Sequence, residues 1–184
     1  VRITALGSYR EVGRACHLVT TNESRVMVDV GVNIASDTDP MPYFTAPEAL
    51  PLEKLDAVVL THSHLDHAGM LPVLFKYGYR GPVYCTPPTR DLMLLLQTDY
   101  IKVGGAEGKR PAYDMEDIRT CMKHVVDVEW GETTDITPDI KLTMSNAGHI
   151  LGSSALHMHV ADGKHNIVFS LSLIHISEPT RRAL

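Results

Sequence analysis

The chain has 184 residues, 44% hydrophobic and 21% charged, with a formal net charge of −5, enough for one domain with its own core. No run reaches the roughly 20 apolar residues that span a bilayer, and the acidic balance argues against a free-standing nucleic-acid binder. Three scattered cysteines, Cys16, Cys85 and Cys121, make neither a disulfide framework nor a cysteine zinc finger; they suit a reducing compartment, and a cytoplasmic protein is expected.

The first 60 residues read as strands and turns. Residues 1–6 are β-rich and do not look like a signal peptide. Residues 16–21 and 25–30 flank Thr21, Asn22, Glu23 and Ser24, a hairpin turn. Asp29 ends the second of these strands and Gly31 follows. Residues 36–51, rich in Pro, Asp and Thr, form a loop. Residues 56–61, DAVVLT, are almost wholly apolar, as expected of a strand buried on both faces. A helix is predicted over 66–77 with Gly78 as its stop, a short strand over 82–85, and a helix over 89–103. The second helix carries an apolar stripe of Leu92, Leu95, Leu96 and Ile101 and is ended by Gly104 and Gly105. A third helix over 114–124 is capped by Asp114 and Asp117. From Val125 the pattern returns to strands, at 141–145, 155–160 and 166–170.

The last residues read differently. The segment 171–181, LSLIHISEPTR, matches the conceptual translation of a transposase adapter used in preparing sequencing libraries. The expected organisation is therefore one domain over 1–170, cut short within its fold, and a non-native tail over 171–184. His175 is accordingly no candidate ligand.

Of the ten histidines, four carry the argument. His62, Ser63, His64, Leu65, Asp66 and His67 follow the buried strand and place four ligand-capable side chains within six residues. Imidazole and carboxylate suit zinc. On extended chain His62 and His64 point the same way and can grip one ion. Asp66 and His67, where the next helix starts, can face a second. His149, between Gly148 and Gly152 after a strand, is the candidate third histidine. Three histidines with an open fourth position are what a catalytic zinc needs to lower the pKa of bound water toward about 7. Asp29 is a candidate to orient a ligand histidine or the metal loop from behind. Glu11, in the turn 7–13, is a further candidate support. His157 and His159 read as a surface-facing pair within a strand. Neither a GxSxG elbow nor a GxxxxGK phosphate loop is present.

HSHLDH after a buried strand, with Asp29, Val30 and Gly31 upstream and Gly148 and His149 downstream, resembles the metallo-β-lactamase superfamily. The stretches GSYREVGRACHLV, YGYRGPVYCTPPTRDLMLLLQTDYI and NAGHILGSSALHMHV are similar to its β-CASP branch. Within that branch they resemble archaeal cleavage and polyadenylation specificity factor proteins first, and RNase J next. The GHILGS wording weighs against thioesterase and glyoxalase types.

The resemblance implies an α/β fold, the αββα sandwich, of which 1–170 would be the N-terminal part. It also implies two zinc ions and hydrolysis of RNA phosphodiesters, as in mRNA 3′-end processing or transcription termination. Its ligands would be His62, His64 and His149 for one zinc, Asp66 and His67 for the other. Asp66 would be the catalytic residue that orients the attacking hydroxide, and Asp29 would support the motif loop. The partner implied is RNA, not a membrane, with a homodimer of the intact parent among the assemblies allowed. The bridging aspartate, the β-CASP cap and the last histidine of the second site would follow residue 170 and are missing, so the fragment itself is expected to be inactive. The rival expectations are another hydrolase of this fold, acting on thioesters, lactones or lactams, and a metal-free structural paralogue.

Overall fold

The computed structural model describes residues 1–36, 38–161 and 163–170. The expectation of a non-native tail over 171–184 lies outside the described residues. The chain builds two sheets. The first has six strands in the order of the chain: β1 (Arg2–Gly7), β2 (Cys16–Thr20), β3 (Arg25–Val28), β4 (Ala57–Val59), β5 (Val83–Cys85) and β6 (Val125–Asp127). β1 to β3 are antiparallel; β3 to β6 are parallel. The second sheet is an antiparallel meander of β7 (Thr133–Thr137), β8 (Ile140–Asn146), β9 (Ser154–Val160) and β10 (His165–Phe169).

The parallel pairs need long crossovers, and the helices supply two of them. α1 (Leu65–Ala68) and α2 (Leu71–Lys76) join β4 to β5; α3 (Pro87–Ala106) and α4 (Met115–Met122) join β5 to β6. They cover one face of the first sheet, where Leu18, Met27, Val58, Leu71, Phe75 and Met93 are buried together. The other face packs on the second sheet: Val26, Val28, Ala57 and Val59 meet Leu142, Met144, Leu156 and Met158. Each such buried Val, Leu or Met side chain contributes about 1.5–3 kcal/mol. β4 thus faces apolar neighbours on both sides, as its composition predicts. β9 alternates instead: Leu156, Met158 and Val160 point inward while His157 and His159, their rings 3.9 Å apart, lie on the outer face. Among the described residues no helix covers that outer face.

Two helices differ from their sequence expectation. The single helix over 66–77 is broken, because the carbonyls of α1 are taken up by neighbouring segments. Leu65, Asp66 and His67 accept from the backbone N–H groups of Val32, Ala15 and Val30, and the N–H of Met70 turns to Val30. Pro72, with no N–H to give, suits the first turn of α2. The helix over 89–103 is longer at both ends. Two prolines open α3, and it runs through Gly104 and Gly105 to a Schellman closure at Gly108, where Lys109 N–H meets Gly104 O at 2.9 Å and Gly108 N–H meets Gly105 O at 3.1 Å. α4 has the expected Asp114 and Asp117 capping box.

Arg14 clamps the loop that crosses the top of the first sheet. Its guanidinium donates to the Glu11 carboxylate at 2.6 and 3.1 Å, to the Asp39 and Met41 carbonyls at 3.0 and 3.2 Å, and to the Tyr43 hydroxyl at 2.8 Å. Arg14→Met leaves those acceptors without their donor and is expected to cost about 2–3 kcal/mol, with faster amide exchange confined to residues 39–43. Exchange unchanged there would show that the loop is held by its apolar contacts alone.

Candidate metal centre

The parallel ladder leads straight into the site. Asp29 N–H bonds Val59 O at 3.0 Å, extending the pairing of β3 with β4, and the chain then turns at Asp29, whose φ of 58° an aspartate tolerates. β4 ends at the same level, so Thr61 lies against Asp29 and His62–His67 fold over it. Asp29 is buried. Its Oδ1 accepts the Thr61 N–H at 2.8 Å; its Oδ2 lies 2.8 Å from the Thr61 hydroxyl and 2.7 Å from His67 Nδ1. His62 Nδ1 is 2.9 Å from the same Thr61 hydroxyl.

The third histidine comes from the β8–β9 loop, which is pinned at several points. Ser154 N–H bonds Thr61 O at 2.8 Å, and Ser153 Oγ accepts from the N–H groups of His149 and Ile150, both at 3.1 Å. Gly152 (φ 81°) sits so close to α3 that a Cβ there would lie 2.8 Å from both Thr89 N and Thr86 Oγ1; its carbonyl accepts from Thr86 and Thr89 at 2.7 and 3.1 Å.

These elements bring three imidazoles together. His62 Nε2 lies 3.0 Å and His149 Nε2 3.2 Å from His64 Nδ1, and one nitrogen from each ring falls within 4.8 Å of the others. Zn–N bonds of 2.0–2.1 Å in a tetrahedron separate ligand nitrogens by about 3.3 Å, so the donor set fits a zinc-sized ion. Burial, reinforced by the charge of His67, pushes His62 down to about 3, which keeps its ring neutral, the form that binds metal. Burial would depress His67 too, but the charge and hydrogen bond of Asp29 and the charge of Asp66 outweigh it and raise its pKa. His67 Nε2 lies 3.6 Å from the Asp66 carboxylate, and its ring is 4.2 Å from that of His62, so these two form a pair directly against the triad.

Of the residues singled out in the sequence, His62, His64 and His149 converge, Asp66 and His67 adjoin them, and Asp29 lies directly behind. Glu11 is placed elsewhere, with its carboxylate on Arg14. Thr61, Ser153, Thr86 and Thr89 carry hydrogen bonds that no spacing announces. Beside His64 and Asp66 opens a cleft of about 510 Å³ with apolar walls, including Val12, Val32, Ile34, Leu65 and Leu96.

Comparison with known proteins places this architecture. Residues 18–180 match the metallo-beta-lactamase superfamily domain. The chain belongs to the metallo-β-lactamase superfamily. Solved metallo-β-lactamases share the fold at low identity. A Cronobacter sakazakii enzyme with a mutated HARLDQ motif aligns at a TM-score of 0.63 with 19% identity, covering 96% of this chain and 64% of that one. The Rm3 metallo-β-lactamase aligns at 0.55 with 20% identity, covering 90% and 56%. Curated relatives are nearer in sequence. The protein named transcription termination factor FttA is 57% identical over 170 residues in Methanosarcina mazei and 52% identical over 170 residues in Methanocaldococcus jannaschii. In both cases the match covers 92% of this chain and 27% of the relative, so the chain spans about a quarter of their length. This metallo-β-lactamase domain is thus of a metal-dependent hydrolase family, and among its described residues no helix is long and apolar enough to cross a membrane.

Proposed function

We propose that this chain carries the catalytic metal centre of a zinc-dependent ribonuclease that cuts RNA phosphodiesters, of the kind used in transcription termination or 3′-end processing. The observation that carries the reading is the convergence of His62, His64 and His149 from two separate loops, in a chain with relatives named as termination factors. In this reading the three histidines hold one zinc, and Asp66 and His67 hold part of a second site. A bound zinc would supply Lewis acidity and lower the pKa of a coordinated water.

The protein's own groups do the rest. His62 stays neutral because burial opposes its protonation. Asp29 fixes the His67 ring by accepting from Nδ1, leaving Nε2 toward Asp66. Asp66, half-exposed at the cleft, orients the attacking water and can take its proton. The cleft beside His64 and Asp66 admits the substrate. The second pair holds two donors among the described residues and the chain spans 27% of the relative's length, so this chain alone has little activity, and residues 1–170 serve as the metal-binding domain of a longer, cytoplasmic enzyme.

The test is cleavage of 5′-labelled RNA by the Methanosarcina mazei relative and by this chain, each loaded with zinc. Cleavage by the relative, lost when its histidines aligned with His62 and His64 become alanine, is expected, with little turnover by this chain. Thioester hydrolysis without RNA cleavage would replace the nuclease reading with another hydrolase of the same fold.

A further inference from the structure

The Thr61 hydroxyl lies between two groups that need opposite things from it. On one side is Asp29 Oδ2 at 2.8 Å; on the other is His62 Nδ1 at 2.9 Å. A carboxylate only accepts, whereas a hydroxyl has one hydrogen to give and lone pairs that accept. If that hydrogen turned to His62, two bare oxygens would face each other at 2.8 Å. The hydrogen therefore lies on the Asp29 side, and the lone pairs of Thr61 face the ring. The group that can meet them is an N–H on His62 Nδ1. Neutral imidazole carries one proton, so Nε2 is left with its lone pair, and Nε2 is the atom that points at His64 and His149.

We propose that Thr61 is a positioning residue that relays the Asp29 carboxylate to His62 and locks its ring in the tautomer that offers Nε2 to the metal. The assignment deepens the metal-centre reading. It gives His62 the same kind of anchor that His67 receives directly, and from the same oxygen, Asp29 Oδ2. The two halves of the centre thus share one acceptor. Thr61 is buried and its backbone is held independently, its N–H by Asp29 Oδ1 and its carbonyl by Ser154 N–H. Removing the hydroxyl alone leaves the loop in place.

The experiment uses the full chain, its Thr61→Val and its Thr61→Ser forms, with two readouts. Nitrogen-15 NMR of the metal-free protein assigns the protonated ring nitrogen of His62, and competition with a chelator gives zinc affinity. The expected result is a proton on Nδ1 in the unaltered and serine forms, a mixture of tautomers in the valine form, and a 10- to 100-fold weaker zinc affinity for valine only. A proton on Nε2 in the unaltered chain, or a valine form with unchanged tautomer and affinity, would overturn the assignment. If the unaltered chain binds no zinc, the metal-centre reading falls, while the ring-nitrogen measurement on that same metal-free protein still decides the role of Thr61.

Discussion

His149→Ala is expected to weaken zinc binding by about 10²–10³-fold while leaving the fold intact. The estimate follows from dividing the ~10–16 kcal/mol of a four-ligand zinc site among its ligands, about 3–4 kcal/mol each, at about 1.4 kcal/mol per tenfold. His149 supplies one of three converging nitrogens, 3.2 Å from His64, and His67, whose ring lies 4.2 Å from that of His62, has its Nδ1 committed to Asp29. The loop that carries it is pinned independently by Ser153, Gly152 and Ser154, so the thermal midpoint of the metal-free protein should move little. The matched control is a His157→Ala, His159→Ala double variant. That pair lies on the outer face of the second sheet, and its loss should leave zinc affinity unchanged. Equal weakening in both variants would mean that zinc binds histidines at large and not this centre.

The second large effect concerns the backbone under the motif. Gly31→Ala is expected to destabilise the protein by at least about 3 kcal/mol, read as a shift in the urea midpoint at constant slope. A Cβ at Gly31 would stand 1.7 Å from the Asp66 carbonyl oxygen and 2.8 Å from Ala15 N. Both are main-chain atoms bonded to each other at 2.8 Å, and neither can swing aside as a side-chain tip would. The strain falls on the strap that holds α1 over Asp29, so metal affinity should drop as well. Gly105→Ala makes a useful contrast: nothing lies within 4 Å of its added methyl, and it sits inside α3, so replacement should stabilise slightly. A Gly31→Ala protein as stable as the original would mean that the strap separates from α1 at no cost.

The candidate ligands of the HxHxDH loop were legible because they are local. HxHxDH concentrates donors where a solvated loop has no need of them, and DAVVLT marks a strand covered on both faces, which β4 is. His149 was legible from its flanking glycines. What escaped was whatever depends on contacts between distant segments. The break between α1 and α2 follows from hydrogen bonds to Ala15, Val30 and Val32, none of which shows in the periodicity of 66–77. The extension of α3 was hidden by prolines and glycines that usually end helices but here open one and close it three residues late. The partner of Glu11 also escaped: its carboxylate meets Arg14, three positions away, whose guanidinium holds the loop at 39–43, a contact that a glycine-bounded turn does not announce.

The three converging imidazoles join two histidines on the first sheet's loop to one that lies 85 residues beyond His64, on a hairpin of the second sheet. A chain emerging from the ribosome would therefore display its HxHxDH loop long before it could close around an ion. Until the β8–β9 hairpin has docked, the loop holds two of the three converging imidazoles, so assembly of the triad waits on the second sheet.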